Sequence, residues 1–110
     1  MALPEIELHR VEKLLGAFCD QRIRPHVKHL VKLIYKISGN KVILIETRPY
    51  HFDPTKWTEM PIAQFEYNEV KGTWSLYGYG RHENRKPCSK GNLEKLIQDV
   101  DYDSTGIFWG

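Results

Sequence analysis

Apolar residues recur at helical spacing near the start of the chain. Leu8, Val11, Leu14, Leu15 and Phe18 fall on one side of a helix drawn over residues 4–19. Pro4 suits the first turn, where its missing N–H costs nothing. Glu5 and Glu7 lie where the positive end of the helix dipole favours carboxylates. From Arg22 to Ser38 the period changes to two. Ile23, Val27, Val31, Leu33, Tyr35 and Ile37 occupy odd positions, against Arg22, Arg24, His26, Lys28, Lys32, Lys36 and Ser38 at even ones. That pattern predicts a half-buried strand with a basic outer face. A helical stripe of Val27, Leu30, Val31 and Ile34 competes with it, and residues 25–29 stay open between a helical turn and extended chain. The turn Ser38-Gly39-Asn40-Lys41 and the β-rich run Val42 to Thr47 favour a hairpin, with strands near 30–38 and 41–48.

Pro49, Pro54 and Pro61 mark 48–61 as a loop. Beyond it, Ala63, Phe65 and Tyr67 alternate with Gln64 and Glu66. Trp74 and Leu76 alternate with Thr73, Ser75, Tyr77 and Tyr79, so 62–68 and 73–79 form a second hairpin. The polar stretch 81–91 leaves room for a short fifth strand. Leu93, Leu96, Ile97 and Val100 define a short second helix with Asn92 as its N-cap. Ile107, Phe108 and Trp109 are too apolar to leave in water and are expected to dock on the core. The predicted fold is α+β: an antiparallel four- to five-stranded sheet built from two hairpins, with an N-terminal and a short C-terminal helix packed on one face. Val11, Leu15, Phe18, Leu33, Phe65, Trp74, Leu76 and Leu96 are the expected core.

A length of 110 residues fits a single domain over 1–110, and 41% apolar residues with 12% aromatics fit a packed core rather than a disordered chain. The longest apolar run, Val42 to Ile45, is far too short for a membrane span. The start lacks the basic and apolar regions of a signal peptide. Cys19 and Cys88 form no C-x-x-C pair. Together these features predict a soluble cytoplasmic protein with no membrane partner.

Several segments taken in order carry a family resemblance over nearly the whole chain. They are Ala17-Phe18-Cys19, Pro25-His26-Val27, Gly39-Asn40, Glu46-Thr47-Arg48-Pro49, Asp53-Pro54, Trp57 and Met60-Pro61-Ile62-Ala63-Gln64-Phe65. Trp74-Ser75-Leu76-Tyr77, Leu93-Glu94-Lys95-Leu96 and the ending Gly106-Ile107-Phe108-Trp109-Gly110 complete the set. The chain thereby resembles a bacterial family, the domain of unknown function 3024 family. Relatives usually carry Trp-His-x-Tyr after the last strand, where this chain has Arg81-His82-Glu83-Asn84. The resemblance implies no established activity and transfers no functional residues.

Clusters that invite chemistry mostly fail on spacing. His26 and His29, with His51, Asp53, His82 and Cys88, suggest a metal, but an i, i+3 pair splits to opposite sides of a strand. Asp99, Asp101 and Asp103 are spaced like a calcium loop, yet Ser104 and Gly110 stand where it needs Gly and Glu. Cys19 belongs to the apolar side of the first helix. Cys88 lies among Arg85, Lys86 and Lys90, where cations would lower its pKa, but no orienting His–Asp pair is legible. Gly78-Tyr79-Gly80 opens no helix and is no phosphate loop. No metal and no cofactor is expected.

The remaining signal is basic. Between Gln21 and Ile45 the chain holds Arg22, Arg24, Lys28, Lys32, Lys36 and Lys41 and no carboxylate side chain. Cations beside stackable rings suit a single strand, so Arg24, Lys28, Lys32, Lys36, Tyr77 and Tyr79 are the candidate nucleic-acid-binding residues. Lysines that merely solvate a sheet edge explain the same pattern. The expected function is a small non-catalytic binding or interaction module, taking nucleic acid weakly or another protein. The alternative is a small enzyme or accessory subunit with a site in the 48–61 loop at Arg48, His51, Asp53 and Trp57.

Overall fold

The computed structural model describes residues 3–23, 30–79, 85–103 and 106–109. Helix α1 (Glu5–Arg22) precedes five strands, β1 (Lys32–Ser38), β2 (Lys41–Tyr50), β3 (Asp53–Asn68), β4 (Thr73–Tyr79) and β5 (Arg85–Gly91), and helix α2 (Leu93–Tyr102) follows them. The strands form one sheet in sequence order, every neighbouring pair antiparallel. The expected α+β class, the five strands and the two helices are therefore present. Residues 25–29 lie outside the described residues.

One face of the sheet carries the core. Val42 and Leu44 of β2, Ala63 and Phe65 of β3, and Trp74 and Leu76 of β4 close against Val11 and Leu15 of α1 and Leu93, Leu96 and Val100 of α2. Every residue of the expected core is buried except Phe18, which is half-buried. Burial extends to one carboxylate, Glu7 of α1. It accepts hydrogen bonds from the Trp74 indole at 3.1 Å and from Arg10 at 3.3 Å, which satisfies a charge that would otherwise be costly to bury. Asn92 caps α2 as expected, accepting from the Lys95 N–H at 2.8 Å.

The aromatic tail docks, as its composition requires. Asp103, with φ 49° at the end of α2, turns the chain, and its carboxylate accepts from the N–H groups of Phe108 and Trp109. Phe108 is buried, and the Trp109 indole donates to the Val100 carbonyl at 2.7 Å while stacking on Phe18. Ile107 seats in a notch that only glycine leaves open: a Cβ on Gly78 would lie 2.8 Å from its Cδ1.

The predicted loop at 48–61 needs correction. It is the end of β2, a turn at His51–Phe52, and the first half of β3, so the sheet contains a third hairpin. Among the described residues β1 pairs no further than Thr47 and β4 no further than Ala63, so from 48 to 60 the two strands pair only with each other, as a ribbon. A two-stranded ribbon has two open edges, where a proline that lacks its N–H forfeits no ladder bond. Pro61 sits where the β2–β3 register shifts between Leu44 and Ile45. The prolines that mark a loop in a sequence mark an exposed β-arm here. Its tip is apolar, with Phe52 81% exposed.

Candidate nucleic-acid interface

Because Leu33 and Tyr35 turn toward the core, Lys32, Ile34 and Lys36 project from the opposite face, which neither helix covers. The register builds this face row by row. Lys36 lies beside Ile43, Ile43 beside Gln64, and Gln64 beside Tyr77. A neighbouring row joins Ile34, Ile45 and Pro61, and another joins Lys32, Thr47 and Glu59. At the far end Ser38, Lys41, Glu66, Ser75 and Lys90 align across all five strands. Tyr79, two residues beyond Tyr77, shares the face.

Of the candidate residues, the structure therefore brings Lys32, Lys36, Tyr77 and Tyr79 onto one surface, and Arg24 and Lys28 lie outside the described residues. Lys41 already belongs to the basic run and Trp57 to the expected loop site, but only the strand register brings both, with Lys90, onto that surface, and Glu59 and Glu66 with them as its acids. The two β1 lysines are already engaged by the arm. Lys32 Nζ lies 4.6 Å from the centre of the Trp57 ring, and Lys36 Nζ lies 2.9 Å from Glu59 Oε1. Both contacts reach from β1 to β3 and so pass over β2. There Ile45 and Thr47 are only 5% and 6% exposed, although neither α1 nor α2 packs on their side.

Gln64 forms part of the floor and is 3% exposed. Its Oε1 accepts from the Tyr79 hydroxyl at 3.2 Å, while its Nε2 meets no hydrogen-bond partner among the described residues. A buried donor left unpaired costs about 1–3 kcal/mol. Nothing in the local sequence signals this, since only the cross-strand register decides that position 64 is enclosed.

The alternative site does not assemble. Arg48 pairs with Glu46 at 2.7 Å on the helix-side face and lines a cavity of about 300 Å³ with Thr58, Met60 and Trp109. Trp57 is on the other face against Lys32. His51 sits at the turn with its ring edge on Phe52, and the Asp53 carboxylate accepts from the Thr55 N–H and hydroxyl. These four residues do not converge on a common point.

A larger cavity, about 850 Å³, lies between β5, α2 and the tail, lined by Leu76, Cys88, Ser89, Asp99, Asp101 and Phe108 among others. Its carboxylates are engaged: Asp99 by Ser89 at 2.9 Å and Lys95 at 3.1 Å, Asp101 by Arg22 at 3.6 Å. Partial burial works to raise the Asp99 pKa, but the Ser89 hydroxyl and the Lys95 ammonium outweigh it and hold the carboxyl below its ordinary value. Cys88 moves opposite to the expectation from its cationic neighbours. Desolvation, with Asp103 and Asp99 adding to it, pushes the thiol up against a lowering backbone hydrogen bond at Gly78. That disfavours the thiolate a nucleophile needs. Among the described residues no group of three His, Cys, Asp or Glu side chains could hold a metal, and no helix is long and apolar enough to cross a membrane.

Comparison with known proteins adds a family and no activity. The family model described as Domain of unknown function (DUF3024) matches residues 3–110. No curated protein and no solved structure matches.

Proposed function

The chain belongs to the domain of unknown function 3024 family, and on that premise we propose that it is a non-catalytic module that binds single-stranded nucleic acid weakly across the helix-free face of its sheet. The supporting observation is the interleaving of lysines and rings on that one face: Lys32, Lys36, Lys41 and Lys90 with Trp57, Tyr77 and Tyr79. Ammonium groups follow phosphates, and each exposed ring stacks a base without reading its sequence. Arg24 and Lys28 extend the basic run just before β1. Glu59 and Glu66 share the face, so the affinity is low. Cys19 and Cys88 are both in the thiol form, which fits a reducing cytoplasm.

Fluorescence anisotropy with mixed-sequence 12-mer RNA and DNA tests this reading. Binding should weaken with a log–log salt slope of about 0.7 per phosphate neutralised. Changing Lys32, Lys36 and Lys41 to Gln should abolish binding while leaving the melting curve nearly unchanged. Absence of binding at low salt to either polymer would reject the proposal.

A further inference from the structure

The arm places an anion and an aromatic ring on the two β1 lysines that the proposed surface needs. Glu59 Oε1 is 2.9 Å from Lys36 Nζ, and the Trp57 ring is 4.6 Å from Lys32 Nζ. The two arm residues are separated by one position, as both must be to share a strand face. A carboxylate on a lysine beside an indole is, chemically, a crude copy of a phosphate beside a base. Glu59 lies 23 positions after Lys36 in the sequence, and β2 runs between their strands. The contact is therefore made by the folded arm and not by neighbouring chain.

We infer that Glu59 is a built-in competitor: its carboxylate holds Lys36 where a nucleic-acid phosphate would bind, so the arm sets the affinity of the face. The inference rests on the nucleic-acid reading above. An exposed ion pair is weak, so the competitor attenuates binding without blocking it. The ammonium of Lys36 has three N–H donors but a single positive charge, and Glu59 offsets that charge. While that pair holds, the bound strand neutralises one phosphate fewer.

The test compares four proteins by anisotropy with a mixed-sequence single-stranded 12-mer DNA over a range of salt: wild type, Glu59→Gln, Glu66→Gln, and Glu59→Gln combined with Lys36→Gln. Glu59→Gln should bind roughly two- to five-fold more tightly at low salt, the fold-change that corresponds to an exposed ion pair. Its salt slope should steepen by about 0.7, one further phosphate. Adding Lys36→Gln should remove both gains. Glu66→Gln removes a carboxylate from the same face and serves as the control for a general charge effect. It should gain less than Glu59→Gln and keep the wild-type slope. Wild-type binding with no gain from Glu59→Gln, or equal gains from Glu59→Gln and Glu66→Gln, would overturn the competitor and leave the nucleic-acid reading standing. No binding by either wild type or Glu59→Gln would overturn both.

Discussion

Phe65 and Gln64 are adjacent in β3, both almost fully buried, and they face opposite sides of the same sheet. Phe65 is fully buried in the apolar cluster that the sheet forms with residues of both helices and the docked tail. Gln64 is buried on the face opposite the helices, and its Nε2 meets no partner among the described residues. The helix side is therefore finished as a core, whereas the other side combines buried polar groups, half-exposed rings and lysines pinned by an arm.

The largest expected difference between the two sides is in stability. Phe65→Ala should cost about 3–5 kcal/mol in denaturant unfolding, because its enclosed site cannot collapse freely. Tyr77→Ala, half-exposed on the open face, should cost about 1 kcal/mol or less. Equal losses would erase the distinction between the faces. Next comes the tail. Deleting residues 106–110 uncovers Gly78 and Phe18 and should lower the melting temperature by several degrees, since ~1 kcal/mol shifts a domain of this size by about 4–8 °C. An unchanged melting curve would mean that the tail contributes nothing to the helix side. On the open face, Gln64→Met removes both the Nε2 donor, which meets no partner among the described residues, and the acceptor of the Tyr79 hydroxyl, while Gln64→Glu keeps the acceptor and removes only the donor. Gln64→Met should cost about 1–2 kcal/mol at most. A loss of several kcal/mol in Gln64→Met that Tyr79→Phe does not reproduce would show that the amide donor is satisfied in solution.

The smallest effect concerns pH. Burial, with Asp20 adding to it, pushes the Cys19 thiol up to about 11. A folded-state pKa raised above the unfolded value contributes stability that is fully present below the unfolded pKa, near 8.5–9, and is lost as pH rises toward 11. Cys19→Ala should therefore flatten alkaline unfolding between those values, and a thiol reagent at pH 8 should modify exposed Cys88 before Cys19. Asp99 runs the other way. Its lowered pKa contributes stability above the unfolded carboxylate value and loses it as pH falls through the folded one.

Much of the helix side was legible because its signals are local. The spacing of Val11 and Leu15, the alternation around Phe65 and Leu76, the Asn92 cap and the apolar ending each announce their place within a few residues. The open side was legible only in part. Period two sorted Lys32 and Lys36 onto it correctly. Their partners could not be read, because Trp57 and Glu59 reach them across an intervening strand. The arm itself was hidden by its prolines, which mean a loop in an ordinary segment and are harmless on a ribbon with two open edges. The candidate loop site failed for the same reason: strand alternation separates Arg48 from Trp57, whereas a loop could have folded them together.

Mapping backbone and indole chemical shifts during titration with a mixed-sequence single-stranded 12-mer at low salt tests the open face most directly. The expected perturbations cluster at Lys32, Lys36, Trp57, Gln64, Tyr77 and Tyr79, with Val11, Leu96 and Val100 unmoved. Shifts confined to the cavity beside Cys88, or no shifts at all, would contradict the assignment of the helix-free face as the binding surface.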